Sequence, residues 1–277
     1  MKNLIKALIP RQLKPALRKI YFFVPDTIDM LSGKRDEMTP PKSMIFIGDG
    51  NFKEIGDEFL EYFINWCELK PDARVLDVGC GIGRMAIPLT RYLNEQGSYE
   101  GFDIVPEGVD WCTKKITPKH PRFRFQLADV FSHKYNPEGK FKASEYSFPF
   151  ENEAFDFIFL ASVFTHMMPQ DVDNYMKEIS RVLAQKGKCL ITFFLLNEES
   201  LPLIAAKKSR LDFKNDLGKF RTIDPNTPER AIAYDEAFIV GLYEKRGFHL
   251  HRPIKYGAWC GRTSYNSYQD IIIASKK

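Results

Sequence analysis

Residues 75–89 read VLDVGCGIGRMAIPL, and this stretch decides the fold. An apolar strand pattern runs into Gly79, Gly81 and Gly83 and passes at once into a helix pattern. Glycines at such a junction let the backbone pass beneath a ligand where a Cβ would collide, as in the strand-turn-helix units that hold nucleotide-like cofactors. The spacing is G-x-G-x-G. A dinucleotide fingerprint has its third small residue where Arg84 stands here.

Asp77, two residues before the first glycine, narrows the ligand further. A carboxylate at a strand tip repels a pyrophosphate but suits a molecule that carries an ammonium and a sulfonium and no phosphate. S-adenosylmethionine (SAM) is therefore the physical choice over a nicotinamide dinucleotide. Asp103 ends the next strand, 24 residues after Gly79, where a carboxylate can accept both ribose hydroxyls. Asp129 ends the third strand, where it can take the adenine amine while Val130 and Phe131 pack on the ring.

Outward from this stretch, strands and helices alternate. Strands are expected at 74–78, 98–104, 122–128, 155–163 and 188–196, with helices near 84–94, 106–116 and 169–184 between them. That alternation means βαβ units and a parallel sheet, and apolar runs such as FIFLASV fit strands buried on both faces. The fold class is α/β, a doubly wound sheet. A helix from Asp235 to Arg246 and strands at 249–256 and 268–275 follow a less regular stretch, and the last two strands should pair antiparallel. Ahead of the sheet, Ile55, Phe59, Phe63 and Cys67 mark one apolar face of a helix over 52–69.

The N-terminus is expected to differ in kind. Residues 1–23 show apolar pairs and bases at helical spacing, interrupted by Pro10 and Pro15, so two short basic amphipathic turns are expected, with a linker over 24–44. Forty basic against 36 acidic residues give a net charge of +4. Residues 1–20 hold six bases and no acid, so the other 257 residues sum to −2 against that total. No apolar run is long enough to span a bilayer, and a cytoplasmic location is expected. The basic tip reads either as a cap or subunit contact, or as a peripheral contact with the inner membrane surface. The five cysteines are odd in number, without a C-x-x-C pair, and read as reduced buried thiols. The mild net charge and the lack of a basic groove interleaved with aromatic residues argue against a nucleic-acid partner.

These motifs resemble the class I SAM-dependent methyltransferases, the Rossmann-like superfamily, from about residue 48 to 276. The glycine loop with Asp77 is similar to the family's first motif, and Asp103 and Asp129 match its ribose-binding and adenine-binding acids. FPFENEAFDFIFLASVFTHM (148–167) is similar to its fourth-strand segment, and LAQKGKCLITFF (183–194) to its fifth-strand entry with a varied turn. The resemblance implies a seven-stranded sheet of order 3-2-1-4-5-7-6 with strand 7 antiparallel. It divides the chain into an extension at 1–47 and a methyltransferase domain at 48–277, with an acceptor-pocket insertion at 197–234. Cys80, Ile104, Ala161 and Ser162 complete the expected cofactor set.

Methyl transfer is an in-line displacement, and an alcohol acceptor must lose a proton. His166 is the candidate general base, against which stands a histidine that only shapes the pocket or caps the next helix. A metal-independent reaction on a small-molecule, sugar or lipid-linked acceptor is expected, most simply at oxygen. A silent SAM-binding partner protein is the alternative. Four further features are open: Gly48, Asp49 and Gly50 as a second loop over the cofactor; Lys207, Lys208 and Arg210 as an anion site; Tyr256, Trp259 and Arg262 as a stacking surface; and His249 and His251 as structural residues.

Overall fold

The structure is a computed structural model of the chain and describes residues 14–45 and 50–277. Two helices, α1 (Lys14–Leu31) and α2 (Phe52–Asn65), precede the sheet. Then come β1 (Arg74–Val78), α3 (Ala86–Tyr92), β2 (Ser98–Asp103), α4 (Pro106–Lys115), β3 (Phe123–Leu127), β4 (Phe155–Leu160), α5 (Pro169–Val182) and β5 (Leu183–Phe193). The insertion supplies β6 (Leu195–Leu196), α6 (Ser200–Ala205), β7 (Asn215–Asp216), β8 (Phe220–Thr222) and β9 (Ile232–Asp235). The chain closes with α7 (Glu236–Lys245), β10 (Phe248–Lys255) and β11 (Asp270–Lys276).

The seven-stranded sheet runs β10-β11-β5-β4-β1-β2-β3. β1 to β5 are parallel, and β11 lies antiparallel to both β5 and β10. This is the expected order and the expected antiparallel strand. Successive residues of a strand point to opposite faces, so β4 feeds two cores. Ile158 and Leu160 pack with α5 and α7, while Phe157 and Phe159 pack with α2 and α3. Burial on both faces explains why these strands read as unbroken apolar runs. Pro253 sits in β10, the edge strand, where the register shifts between His251 and Lys255 and a missing N–H is tolerated.

Local signals fix the helices that approach the site. Asn51 caps α2 by accepting from the N–H groups of Lys53 and Glu54, and its amide returns a bond to Glu54 at 2.7 Å. A Cβ on Gly56 would come within 2.5 Å of the Arg84 carbonyl, so the glycine lets α2 lie against the loop after β1. Asp235 caps α7 as expected, accepting from Phe238 N–H.

Several expectations are corrected. Among the described residues, the second expected turn and the first part of the linker give way to one helix, α1, with Pro15 in its first turn, where a peptide N–H has no helical partner to lose. The helix continues through Pro25, so the connecting segment begins only after Leu31; residues 1–13 lie outside the described residues. β5 starts at Leu183 rather than at 188, because Leu183 pairs with Phe155 before the register shifts. The irregular stretch from 197 is also more ordered than its sequence suggests. It forms a small sheet, β6-β9-β8-β7, over a third apolar cluster that includes Phe194, Phe213 and Trp259.

Candidate functional site

A cavity of about 800 Å³ opens at the C-terminal ends of the parallel strands. Ligands of open α/β sheets bind at that edge because the strands end there and the loops diverge.

The glycine loop forms its floor. Gly79, Gly81 and Gly83 have φ of +88°, +56° and +82°. A Cβ on Gly79 would come within 2.4 Å of the Val163 side chain. Gly79 and Gly81 line the cavity with Cys80 between them. Gly83 does not: a Cβ there would come within 2.9 Å of Cys112 and 2.8 Å of Ile116, so the glycine leaves room for the end of α4.

Two carboxylates reach the cavity from strand tips. Asp103 accepts from Gly81 N–H at 2.7 Å through one oxygen and from Val105 N–H at 2.8 Å through the other. Each oxygen keeps a lone-pair site for a further donor. Burial holds the Asp103 carboxyl above the ordinary range. Asp77 is 2% exposed and accepts from the Tyr99 hydroxyl at 2.6 Å. Burial pushes its pKa up to about 8, the Tyr99 bond opposes that rise, and the Asp103 charge adds to it. Among the described residues, the donors to both carboxylates are neutral. A cation entering the cavity would thus meet two buried acids, and SAM brings both an ammonium and a sulfonium. The residues present fit that molecule.

Ile104, Val130, Ala161 and Ser162 also line the cavity as expected. Ser162 has φ of +62° and is held by two bonds, its N–H donating to Thr192 Oγ1 at 2.8 Å and its hydroxyl to Gln269 Oε1 at 2.9 Å. Asp129 is not among the residues that line the cavity, although Val130 and Phe131 beside it are; its carboxylate accepts the Lys140 backbone N–H at 3.2 Å and lies 3.4 Å from the ammonium.

His166 lies in a short turn after β4, on the cavity wall. Its Nδ1 is 2.9 Å from the Glu229 carbonyl. A carbonyl only accepts, so Nδ1 carries the proton and Nε2 is left with its lone pair. Burial lowers the pKa of the ring below the ordinary histidine value, with Lys134 acting in the same direction. The N-terminus of α5 is served by Asp171, which accepts from Met168 N–H at 3.1 Å, so helix capping is not the work of His166.

The cavity wall also holds residues that the sequence did not single out: Glu58, Tyr135, Asp171, Tyr175, Glu229 and Gln269. Only Gln269 had a usable signal, its position at the tip of the last strand. Arg210 and Gly50 reach the cavity, whereas Lys207 and Lys208 do not. Gly48 and Asp49 lie outside the described residues. Tyr256, Trp259 and Arg262 are not a stacking surface. Asp270 accepts from Leu195 N–H, Gly257 N–H, Trp259 Nε1 and Arg262 at 2.6 to 2.9 Å, and Arg262 lies over the Tyr256 ring. This buried lock clamps the loop after β10 and thereby sets Ser267, Tyr268 and Gln269 on the cavity wall.

The comparisons with known proteins agree with this geometry. Residues 75–187 match the family model described as a methyltransferase domain. A stretch of 77 residues is 30% identical to the probable cobalt-precorrin-6B C(15)-methyltransferase (decarboxylating) of Thermoplasma acidophilum, covering 27% of this chain and 37% of that protein. The chain thus spans little more than a third of that curated relative's length. The fold is similar to that of the PH0226 protein from Pyrococcus horikoshii OT3, with TM-score 0.58 and 15% identity over 85% of this chain and 95% of that one. It is also similar to magnesium protoporphyrin IX methyltransferase from Synechocystis PCC 6803, solved with bound S-adenosylhomocysteine (SAH), with TM-score 0.53 and 15% identity over 92% and 99%. The sheet order and the glycine loop agree with that match: residues 75–187 resemble a methyltransferase domain, on a sheet with the class I, Rossmann-like order, and SAM is the cofactor consistent with both.

Proposed function

We propose that the protein transfers the methyl group of SAM to a small-molecule, sugar or lipid-linked acceptor, at an oxygen whose proton passes to His166. The observation that carries this reading is the His166–Glu229 bond, which leaves an unprotonated Nε2 on the wall of the cavity that holds the glycine loop. SAM supplies an activated methyl group on a sulfonium.

The chain's own residues do the rest. Asp103 holds ribose hydroxyls with its remaining lone pairs, and Asp77 faces the positive end of the cofactor. Ile104 and Val130 flank the adenine. Ser162, locked by Thr192 and Gln269, fixes the backbone at the methionine end. Alignment of an acceptor oxygen behind the methyl carbon supplies most of the rate, with His166 adding about 10² as base. Beside Arg84 and Arg210 the cavity wall carries Glu58, Asp77, Asp103, Asp171 and Glu229, an acidic balance that favours an uncharged or cationic acceptor over a phosphate backbone.

The test is incubation with methyl-labelled SAM and fractionated cell extract. Labelled product that disappears with Asp103→Ala and falls steeply with His166→Ala is expected. No labelled product from any extract, with SAH still bound, would favour the silent SAM-binding protein.

A further inference from the structure

Helix α1 faces the wrong way for a helix of a water-soluble domain. Ile20, Tyr21, Val24, Ile28 and Leu31 are 72%, 77%, 62%, 55% and 78% exposed. At 100° per residue they share a sector about 100° wide, an apolar stripe of the kind that ordinarily faces a core. The opposite side of α1 is held instead. Asp26 accepts from Lys42 N–H at 2.6 Å and from Ser43 N–H at 3.2 Å. Asp29 pairs with the Lys42 ammonium at 2.6 Å, and Arg18 donates to the carbonyls of Lys42 and Ile45. The helix is thus fastened by its polar face with its apolar face turned out.

Charge says what covers that face. Residues 1–20 carry six bases and no acid. The two acids of α1 are turned away and bonded to the 42–43 segment, so they do not oppose an anionic surface. A second copy of the chain would match the stripe but would bring the six bases of its own residues 1–20 with it. An anionic lipid surface supplies both an apolar interior and the opposite charge. No helix among the described residues is long and apolar enough to cross a membrane, so the fitting geometry is a helix lying in the interface.

We propose that α1, with the bases around it, docks the protein on an anionic lipid bilayer. Ile45, which anchors Arg18, is five residues ahead of Gly50 on the cavity wall. Five residues reach at most about 18 Å, so the docking helix is tethered close to the cavity. The docking itself does not depend on methyl transfer.

The experiment is co-sedimentation of the full chain with phosphatidylcholine vesicles, with and without phosphatidylglycerol, at low and high salt. Binding at least about tenfold stronger to the phosphatidylglycerol vesicles, and weakened by salt, is expected. The Val24→Glu/Leu31→Glu variant should lose that binding by about tenfold while SAH affinity is kept, because both side chains are exposed and outside the cavity. Leu217→Glu, an exposed apolar residue in the turn between β7 and β8, should bind vesicles as the wild type does. Equal binding to both lipids, or undiminished binding by the double variant, overturns the proposal. So does a wild-type dimer that the double variant makes monomeric while neither sediments with vesicles.

Discussion

At the cofactor end of the cavity, every wall is a consecutive run at a strand tip: Asp77 to Gly81 after β1, Asp103 to Val105 after β2, Val130 to Ser132 after β3 and Ala161 to Val163 after β4. At the other end, Tyr135, Asp171, Arg210, Glu229 and Gln269 come from five segments far apart in the chain, Arg210 beside Leu211 and Gln269 closing the run 267–269. One end is made of backbone turns and short side chains whose places follow from the strand-turn-helix pattern. The other is made of side chains brought together by tertiary packing, above all by the Asp270 lock. The first end should therefore fail through the backbone and in binding, and the second through single side chains and in turnover.

The largest effect is expected at Gly79. Gly79→Ala puts a Cβ within 2.4 Å of Val163 at a φ of +88°. Strain of this kind costs about 1–3 kcal/mol before the overlap is counted, so SAH affinity measured by calorimetry should fall by about 10² or more. An unchanged affinity would mean that the loop is not the cofactor floor.

His166→Ala should lower turnover by about 10². The wild-type rate should fall as pH drops through the lowered pKa of His166, because only the neutral ring accepts a proton. The acid limb should therefore lie below the ordinary histidine value of about 6.5, and it should vanish in the variant. A limb that survives His166→Ala would assign the base to another group. The same lowering has a stability sign: the folded state holds the ring neutral, so this contribution is present above about pH 6.5 and is lost as pH falls below it.

These two sites also show how much could be read before the fold was known. Gly79, Asp77 and Asp103 are legible because their roles are local: a positive φ, a strand tip, a fixed offset along the chain. His166 is legible as a candidate for the same reason, since it follows β4 directly. Its partner Glu229 is 63 residues away in an insertion whose short strands carry no periodic signal, so the bond that sets its tautomer is not. A strand-tip position does not say which way a side chain turns, and the Asp129 carboxylate lies toward Lys140. Pro15 misled over α1 because proline at a helix start reads the same as proline that breaks one.

A smaller effect separates binding from stability at the cofactor end. Burial pushes the pKa of Asp77 up to about 8, so the folded state favours its protonated form and loses stability as pH rises from the unfolded value of about 4 toward 8. Asp77→Asn keeps an acceptor for the Tyr99 hydroxyl without the charge. It should raise the melting temperature at neutral pH by about 2 °C or more in the absence of cofactor, and it should weaken SAH binding. A lower melting temperature would show that the charged carboxylate is compensated in the folded protein.

The most direct test of the division between the two ends is one calorimetric titration with SAH of the wild type, Asp103→Asn and His166→Ala. Hydrogen bonds to a charged group contribute about 1.5–3 kcal/mol, so Asp103→Asn should bind at least about tenfold more weakly, with His166→Ala within about twofold of the wild type. SAH binding that Asp103→Asn leaves intact, or that His166→Ala abolishes, would contradict the account.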